Sequence, residues 1–224
     1  MNNQLINHYE TGALFSLPEA EQERIGNVST LQSCVKNDHF FVPGAPHQFV
    51  YLIRSGRVKV ASFSDDGKEI IKEILYPGEM FGEEALIGEA FHRDYAVALD
   101  DEVKVLEIKA ADAVSLMSRN PRLAMHITAK LCQRVRSMEG RLEALLFKNS
   151  RTRILEFLKR TAMKDQRRVG AEFLIAPFLT HDDIAKVTDT SRQTVTQVLN
   201  ELKKSNLIYF DRKRLLIRDL EKLV

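Results

Sequence analysis

The chain has 224 residues, 44% of them hydrophobic and 29% charged, with 10 Gly, 6 Pro and 2 Cys. That composition excludes global disorder, collagen-like repeats and a disulfide-rich secreted scaffold, and the length suits two domains better than one. The formal net charge of +2 hides unlike halves: residues 149–224 carry 16 Lys+Arg against 10 Asp+Glu (+6), and residues 1–148 carry 17 against 21 (−4).

The opening run Met1 to Glu10 lacks the basic and apolar regions of a secretory signal. No stretch approaches the ~18 apolar residues of a membrane span. Cys34 and Cys132 form no CxxC pair, so the natural reading is a cytoplasmic protein with reduced thiols. Residues 12–33 contain a short helical entry segment, where Leu17-Pro18-Glu19 places Pro near a helix start and acids in its first turn.

From about residue 38 to 108 the pattern is short strands separated by turn signals. Phe40-Phe41-Val42 stops at Pro43-Gly44, Phe49 to Ile53 leads to Arg54-Ser55-Gly56, and Val58 to Phe63 alternates up to the turn at Asp65-Asp66-Gly67. Glu69 to Tyr76 is broken by Pro77-Gly78, and Tyr95 to Leu99 turns at Asp100-Asp101 into Val103 to Ile108. This spacing predicts an antiparallel sandwich or barrel.

After Lys109 the period changes to about 3.6. Asn120-Pro121 is a helix start, Asn as N-cap and Pro at the first helical position. Leu131, Val135, Met138, Leu142 and Leu145 then recur at heptad spacing, which favours self-pairing in a dimer over packing on the same domain. Asn149-Ser150 reads as a hinge and N-cap before a helix from Arg151 to about Met163, closed by the polar run Lys164 to Gly170. The expected organisation is α+β: a strand-rich domain over 1–119, a dimerisation helix over 120–148 and a further domain over 149–224.

The last segment carries the function. Thr180-His-Asp-Asp183 reads as a capping box opening a short helix. A turn at Thr188-Asp189-Thr190 precedes Ser191, a second N-cap, and a second helix from Arg192 to Lys203. There Val195, Val198, Leu199 and Leu202 point inward, while Arg192, Gln193, Thr196, Gln197 and Asn200 crowd the other face. Two short helices, a tight turn and polar donors at the second helix's start are the pattern of a helix-turn-helix. Arg pairs with guanine O6/N7 and Gln with adenine N6/N7, and a Thr methyl meets the thymine methyl. Leu207 to Phe210 and Leu215 to Ile217 form a hairpin whose tip carries Arg212 and Lys213, completing a winged helix. The candidate DNA-binding residues are therefore Thr180, Ser191, Arg192, Gln193, Thr196, Gln197, Asn200, Arg212 and Lys213. The +6 balance of this half is the footprint of a phosphate-backbone binder.

The order of parts resembles the CRP/FNR family of bacterial transcription regulators. The marks are Leu52-Ile-Arg-Ser-Gly-Arg-Val-Lys-Val60, Pro77-Gly-Glu-Met-Phe-Gly-Glu83, Arg93, the long helix and Ser191-Arg-Gln-Thr-Val195. The resemblance implies an N-terminal antiparallel β-roll (jelly-roll) sensor of the cyclic-nucleotide-binding type and a dimerisation helix. It also implies a winged helix on a near-palindromic double-stranded operator and contact with RNA polymerase. In nucleotide-binding relatives a Gly-Glu pair and an Arg-Ser pair hold the phosphate. Gly82, Glu83 and Arg93 match, but Asp94 stands at the Ser position and would repel a phosphate. The relatives' hydroxyl residues on the long helix correspond to Met138 and Glu139, so cyclic AMP is not the expected effector. Two cysteines exclude the four-thiolate iron–sulfur centre of the redox branch. Haem needs an axial ligand that six His could supply, yet a lone His is more often an ordinary surface or core residue. Gln193 and Gln197 replace a Glu and an Arg of the cyclic-AMP-responsive relatives, which predicts a different half-site.

Two other classes compete. One is a ligand-binding regulatory subunit acting on a protein partner. The other is an enzyme, for which His181-Asp182-Asp183 and the pair Glu83-Glu84 are thin candidates already explained by capping and by the cassette above. No P-loop or nucleophile elbow occurs, and no catalytic or metal-ligating residue is assigned.

Overall fold

The structure is a computed structural model that describes residues 19–165 and 167–223. It packs as two units, one up to residue 134 and one from residue 135.

The first unit opens with α1 (Glu19–Asn27), within the expected entry segment; the residues before 19 lie outside the described ones. Eight strands follow: β1 (Ser29–Val35), β2 (His39–Phe41), β3 (Phe49–Ser55), β4 (Val58–Phe63), β5 (Glu69–Leu75), β6 (Met80–Phe81), β7 (Tyr95–Ala98) and β8 (Glu102–Lys109). They form two antiparallel four-stranded sheets, ordered β1-β8-β3-β6 and β2-β7-β4-β5. This is the expected β-roll with two strands, β1 and β6, beyond the six read from the sequence. β1 overlaps the end of the 12–33 span, where only a helical segment is expected, yet it pairs along its whole length with β8, from Ser29 opposite Ile108 to Val35 opposite Glu102. Of its side chains only Cys34 is buried, so it carries little apolar alternation to read.

β3 explains why one strand reads as an unbroken apolar run. Tyr51 and Ile53 face the core between the sheets, with Phe41, Val58, Phe81 and Val105. Val50 and Leu52, one residue out of phase, face a second cluster with Ile25, Ile108, Ala113 and Leu123. The second cluster is covered by α1, by α2 (Ala110–Arg119) and by the start of α3 (Pro121–Phe147). Asn120 Oδ1 accepts from the Leu123 amide at 3.3 Å, as its N-cap role requires.

Part of the motif that marks the family resemblance is structural. Gly56 has φ +75°, and a Cβ there would lie 2.6 Å from the Glu102 carbonyl oxygen, so only glycine fits. The adjoining Arg57 is buried and pairs with Asp100 at 2.6 Å.

His92 is buried with its ring stacked on Phe41, centroids 3.6 Å apart, and with the His47 ring at 3.5 Å. Burial, reinforced by His47 and opposed by Asp94, brings its pKa down from 6.5 to about 4. An unfolded histidine takes its proton near pH 6.5, two units or more before the folded one. This contribution to stability is therefore complete above pH 6.5 and is lost as pH falls toward 4, at up to about 1.4 kcal/mol per pH unit. Thermal melts of His92→Phe should show a shallower acid limb than wild type. Parallel limbs would remove His92 as the cause.

The second unit contains the rest of α3, α4 (Ser150–Asp165), a hairpin of β9 (Arg168–Val169) and β10 (Glu172–Ile175), α5 (His181–Thr188), α6 (Arg192–Lys204), β11 (Ile208–Phe210) and β12 (Leu215–Ile217). Its sheet runs β11-β12-β10-β9. β9 lies in the polar run, where no apolar residue but Val169 announces it, whereas β10 follows with the short apolar run Phe173-Leu174-Ile175 and is not among the expected strands. Ile154, Leu158, Ile184, Val195, Leu199, Leu202, Leu215 and Ile217 build the core, with the four inward residues expected on α6 all buried.

On α3, which spans 27 residues or about 40 Å, the expected seam is open. Val135, Met138, Leu142 and Leu145 are exposed, as are Leu146 and Phe147, while Leu131 is half-buried.

Candidate nucleic-acid interface and effector pocket

α5 and α6 are set by their caps. Thr180 Oγ1 accepts from the Asp183 amide at 3.0 Å and donates to Asp183 Oδ2 at 2.5 Å, so the two side chains lock the first turn of α5. Asp189 ends α5 in the left-handed conformation, φ 50°. Two residues later Ser191 caps α6, its hydroxyl accepting from the Thr194 amide at 3.0 Å. The turn between the helices is thus held by the left-handed backbone of Asp189 at the end of α5 and by the Ser191 side chain at the start of α6.

Arg192 and Gln193 lie exposed in the first turn of α6, and Asn200 is exposed two turns on. Thr196 is differently placed. Its hydroxyl donates to the Arg192 carbonyl at 2.9 Å, so its oxygen accepts from Nδ1–H of His181, also at 2.9 Å. Thr196 therefore joins α6 to the start of α5. Burial, followed by the nearby Arg192 charge, holds His181 below the usual histidine pKa. Gln197 donates to Glu201 at 3.0 Å, and Glu201 pairs with Arg151 of α4 at 2.6 Å.

At the wing, Asp211 organises the turn between β11 and β12. Its Oδ1 accepts from the Lys213 and Arg214 amides at 2.8 and 3.1 Å, which with the neighbouring Arg214 charge keeps its carboxyl below the ordinary range. Arg212 and Lys213 are left exposed at the tip. The second unit thus offers an exposed Arg-Gln pair at a helix start and two cations on a hairpin, the chemistry of base-edge and phosphate contact.

The proposed effector residues lie in the first unit. Gly82 has φ +76°, and a Cβ there would come 2.8 Å from the Phe49 carbonyl oxygen, so the tight passage from β6 into the 3₁₀ turn Glu83–Ile87 requires glycine. Glu83 pairs with Arg134 of α3, and Arg134 Nε also meets Glu73 of β5 at 2.5 Å. Burial raises the Glu83 pKa, with Arg134 opposing; burial works against the Arg134 charge, but Glu83 and Glu73 outweigh it and hold its pKa up. Asp94 pairs with Lys72 at 2.6 Å. Arg93 is 86% exposed, its nearest acid being Glu89 at 3.9 Å. Gly82 and Glu83 adjoin in sequence, but among the described residues no hydrogen bond or ion pair joins Arg93 or Asp94 to them. Arg134, Glu73 and Lys72 were not singled out from the sequence; nothing local marks them, since each partner stands far along the chain. Among the described residues no group of three or more His, Cys, Asp or Glu could hold a metal ion, and no helix is long and apolar enough to cross a membrane.

Two family models match the chain: a cyclic nucleotide-binding domain over residues 31–120 and a Crp-like helix-turn-helix domain over residues 152–224. The cyclic AMP receptor protein of Thermus thermophilus is 31% identical, covering 75% of this chain and 74% of its own length. The CRP-like cAMP-activated global transcriptional regulator of Mycobacterium tuberculosis is 27% identical over 82% of this chain and 81% of its own. Among solved structures, FixK2 of Bradyrhizobium japonicum superposes with a TM-score of 0.76 at 21% identity, covering 88% of this chain and 96% of its own, which shows the shared fold.

Proposed function

The chain belongs to the CRP/FNR family of transcription regulators, and on that premise we propose that it reads DNA as a homodimer. The exposed start of α6, with Arg192 and Gln193 beside the basic wing, is the observation that carries the reading. Thr180 and Ser191 sit at helix N-termini suited to phosphate, while Gln197 and Asn200 extend the base-facing row. The apolar stripe Leu131, Val135, Met138, Leu142 and Leu145 supports pairing of two copies along α3. A two-fold dimer then sets a near-palindromic operator with half-sites about 34 Å apart. RNA polymerase is the further partner, and the cytoplasm the place of action. The regulatory-subunit alternative is disfavoured by the Crp-like helix-turn-helix match over the whole C-terminal part.

Selection from a randomised duplex pool by the full chain tests this. Enriched sequences should be inverted repeats, with log affinity falling steeply against log salt. A chain that enriches nothing, or direct repeats only, refutes the reading.

The β-roll carries the effector response, with Gly82 and Glu83 at its centre, and the effector is not cyclic AMP. Support comes from Asp94, whose carboxylate stands at the phosphate-binding Ser position and is engaged by Lys72, and from Arg93, which points to solvent. A ligand at a hundred times its Kd stabilises by about 2.7 kcal/mol. Cyclic AMP at about 1 mM should therefore leave the melting temperature unchanged if its affinity is weaker than millimolar. A shift of several degrees would overturn this part.

A further inference from the structure

Arg153 of α4 places three N–H groups on three backbone carbonyls. Nη1 donates to Lys148 at 2.9 Å, Nε to Thr188 at 2.9 Å and Nη2 to Asp189 at 2.7 Å. The first carbonyl belongs to the exit of α3, because the Lys148 amide still bonds to Ala144 at 3.0 Å. The other two close α5, immediately before the turn that launches α6. The last carbonyls of a helix have no partner within it and carry the negative end of its dipole. One guanidinium therefore satisfies the ends of two helices at once. Lysine cannot, because its ammonium is a point charge without a planar fork.

We propose that Arg153 is the positioning residue that carries the orientation of the α3 exit into the α5–α6 turn, and so into the placement of the DNA-reading helix. It contacts no base or phosphate; it acts through Thr188 and Asp189. Its consequence for DNA rests on the reading given under the proposed function, but the coupling itself is a property of the free chain.

The test is a cycle of substitutions in the full-length protein, read by amide hydrogen exchange without DNA. Lys148→Gly loosens the α3 exit. In an otherwise wild-type chain it should speed exchange of the Thr190 amide, which bonds to Ala185 at 3.0 Å, by about threefold or more. In the Arg153→Gln background the same Lys148→Gly change should leave Thr190 exchange as it was. Arg153→Lys, which keeps the charge, should behave like Arg153→Gln, and it serves as the readout if the glutamine variant melts. Equal acceleration at Thr190 with and without Arg153, or none in either, overturns the proposal. On a duplex enriched by the wild-type chain, Arg153→Gln should weaken binding with no change in salt slope, since the charge it removes meets no phosphate. A lowered slope would make Arg153 a phosphate contact and overturn the positioning role. Failure of the wild-type chain to enrich any duplex would sink the DNA reading while the exchange result stands.

Discussion

Arg192→Ala should lower affinity for the selected operator by about 30-fold to 10⁴-fold, and most of that loss should vanish on a scrambled duplex. Arg192 follows the Ser191 cap directly, so its backbone is fixed while its side chain is exposed. A bidentate arginine–guanine contact contributes about 1–3 kcal/mol of discrimination, and a two-fold dimer makes it twice. Gln193→Ala should act similarly on an adjacent adenine. The wing supplies a contrast: Lys213→Ala should weaken binding to every duplex alike and reduce the salt slope by about two, one for each protomer. The measurement is a titration of each variant against operator and scrambled duplexes at several salt concentrations. If Arg192→Ala bound both with the wild-type preference, base reading by Arg192 would be wrong, whatever its absolute affinity.

What could be read from the sequence follows the range of the interactions concerned. α6 was legible because Val195, Val198, Leu199 and Leu202 repeat at helical spacing, and the cap at Ser191 acts within three residues. β3, β4 and β8 were legible because each buries apolar side chains in register. β1 was not, because its stability comes from backbone pairing with β8 rather than from its own side chains. The same limit governs the site. Arg93 and Asp94 are neighbours in sequence and read as one cassette, yet Asp94 finds Lys72 and Arg93 lies near Glu89. Thr196 reads as one of a row of polar donors, and only the fold reveals that His181 engages its hydroxyl. Polar side chains choose partners through tertiary geometry, and no local periodicity encodes that choice.

The Arg134 cluster is where that non-local choice carries most energy. Arg134 stands between Glu73 and Glu83, and all three side chains are less than 20% exposed. Replacing it with Met keeps much of its volume but removes the cation that both buried carboxylates face. Breaking a buried pair in this way costs about 3–5 kcal/mol, so Arg134→Met should lower the melting temperature of the first unit by roughly 10 °C or more. The sign of the pH dependence identifies the cause. Burial already raises the Glu83 pKa in the folded chain, and loss of Arg134 raises it further. Between its unfolded and folded pKa values the folded state then binds more protons, so the variant recovers stability as pH falls. The difference between variant and wild type should accordingly narrow from pH 7 toward pH 5, even though His92 pulls both chains the other way. Adding Glu73→Gln and Glu83→Gln to Arg134→Met should restore most of the loss at pH 7, because neutral amides need no cation. A difference that stays constant with pH, or a triple variant no more stable than the single one, would show that Arg134 contributes packing rather than charge.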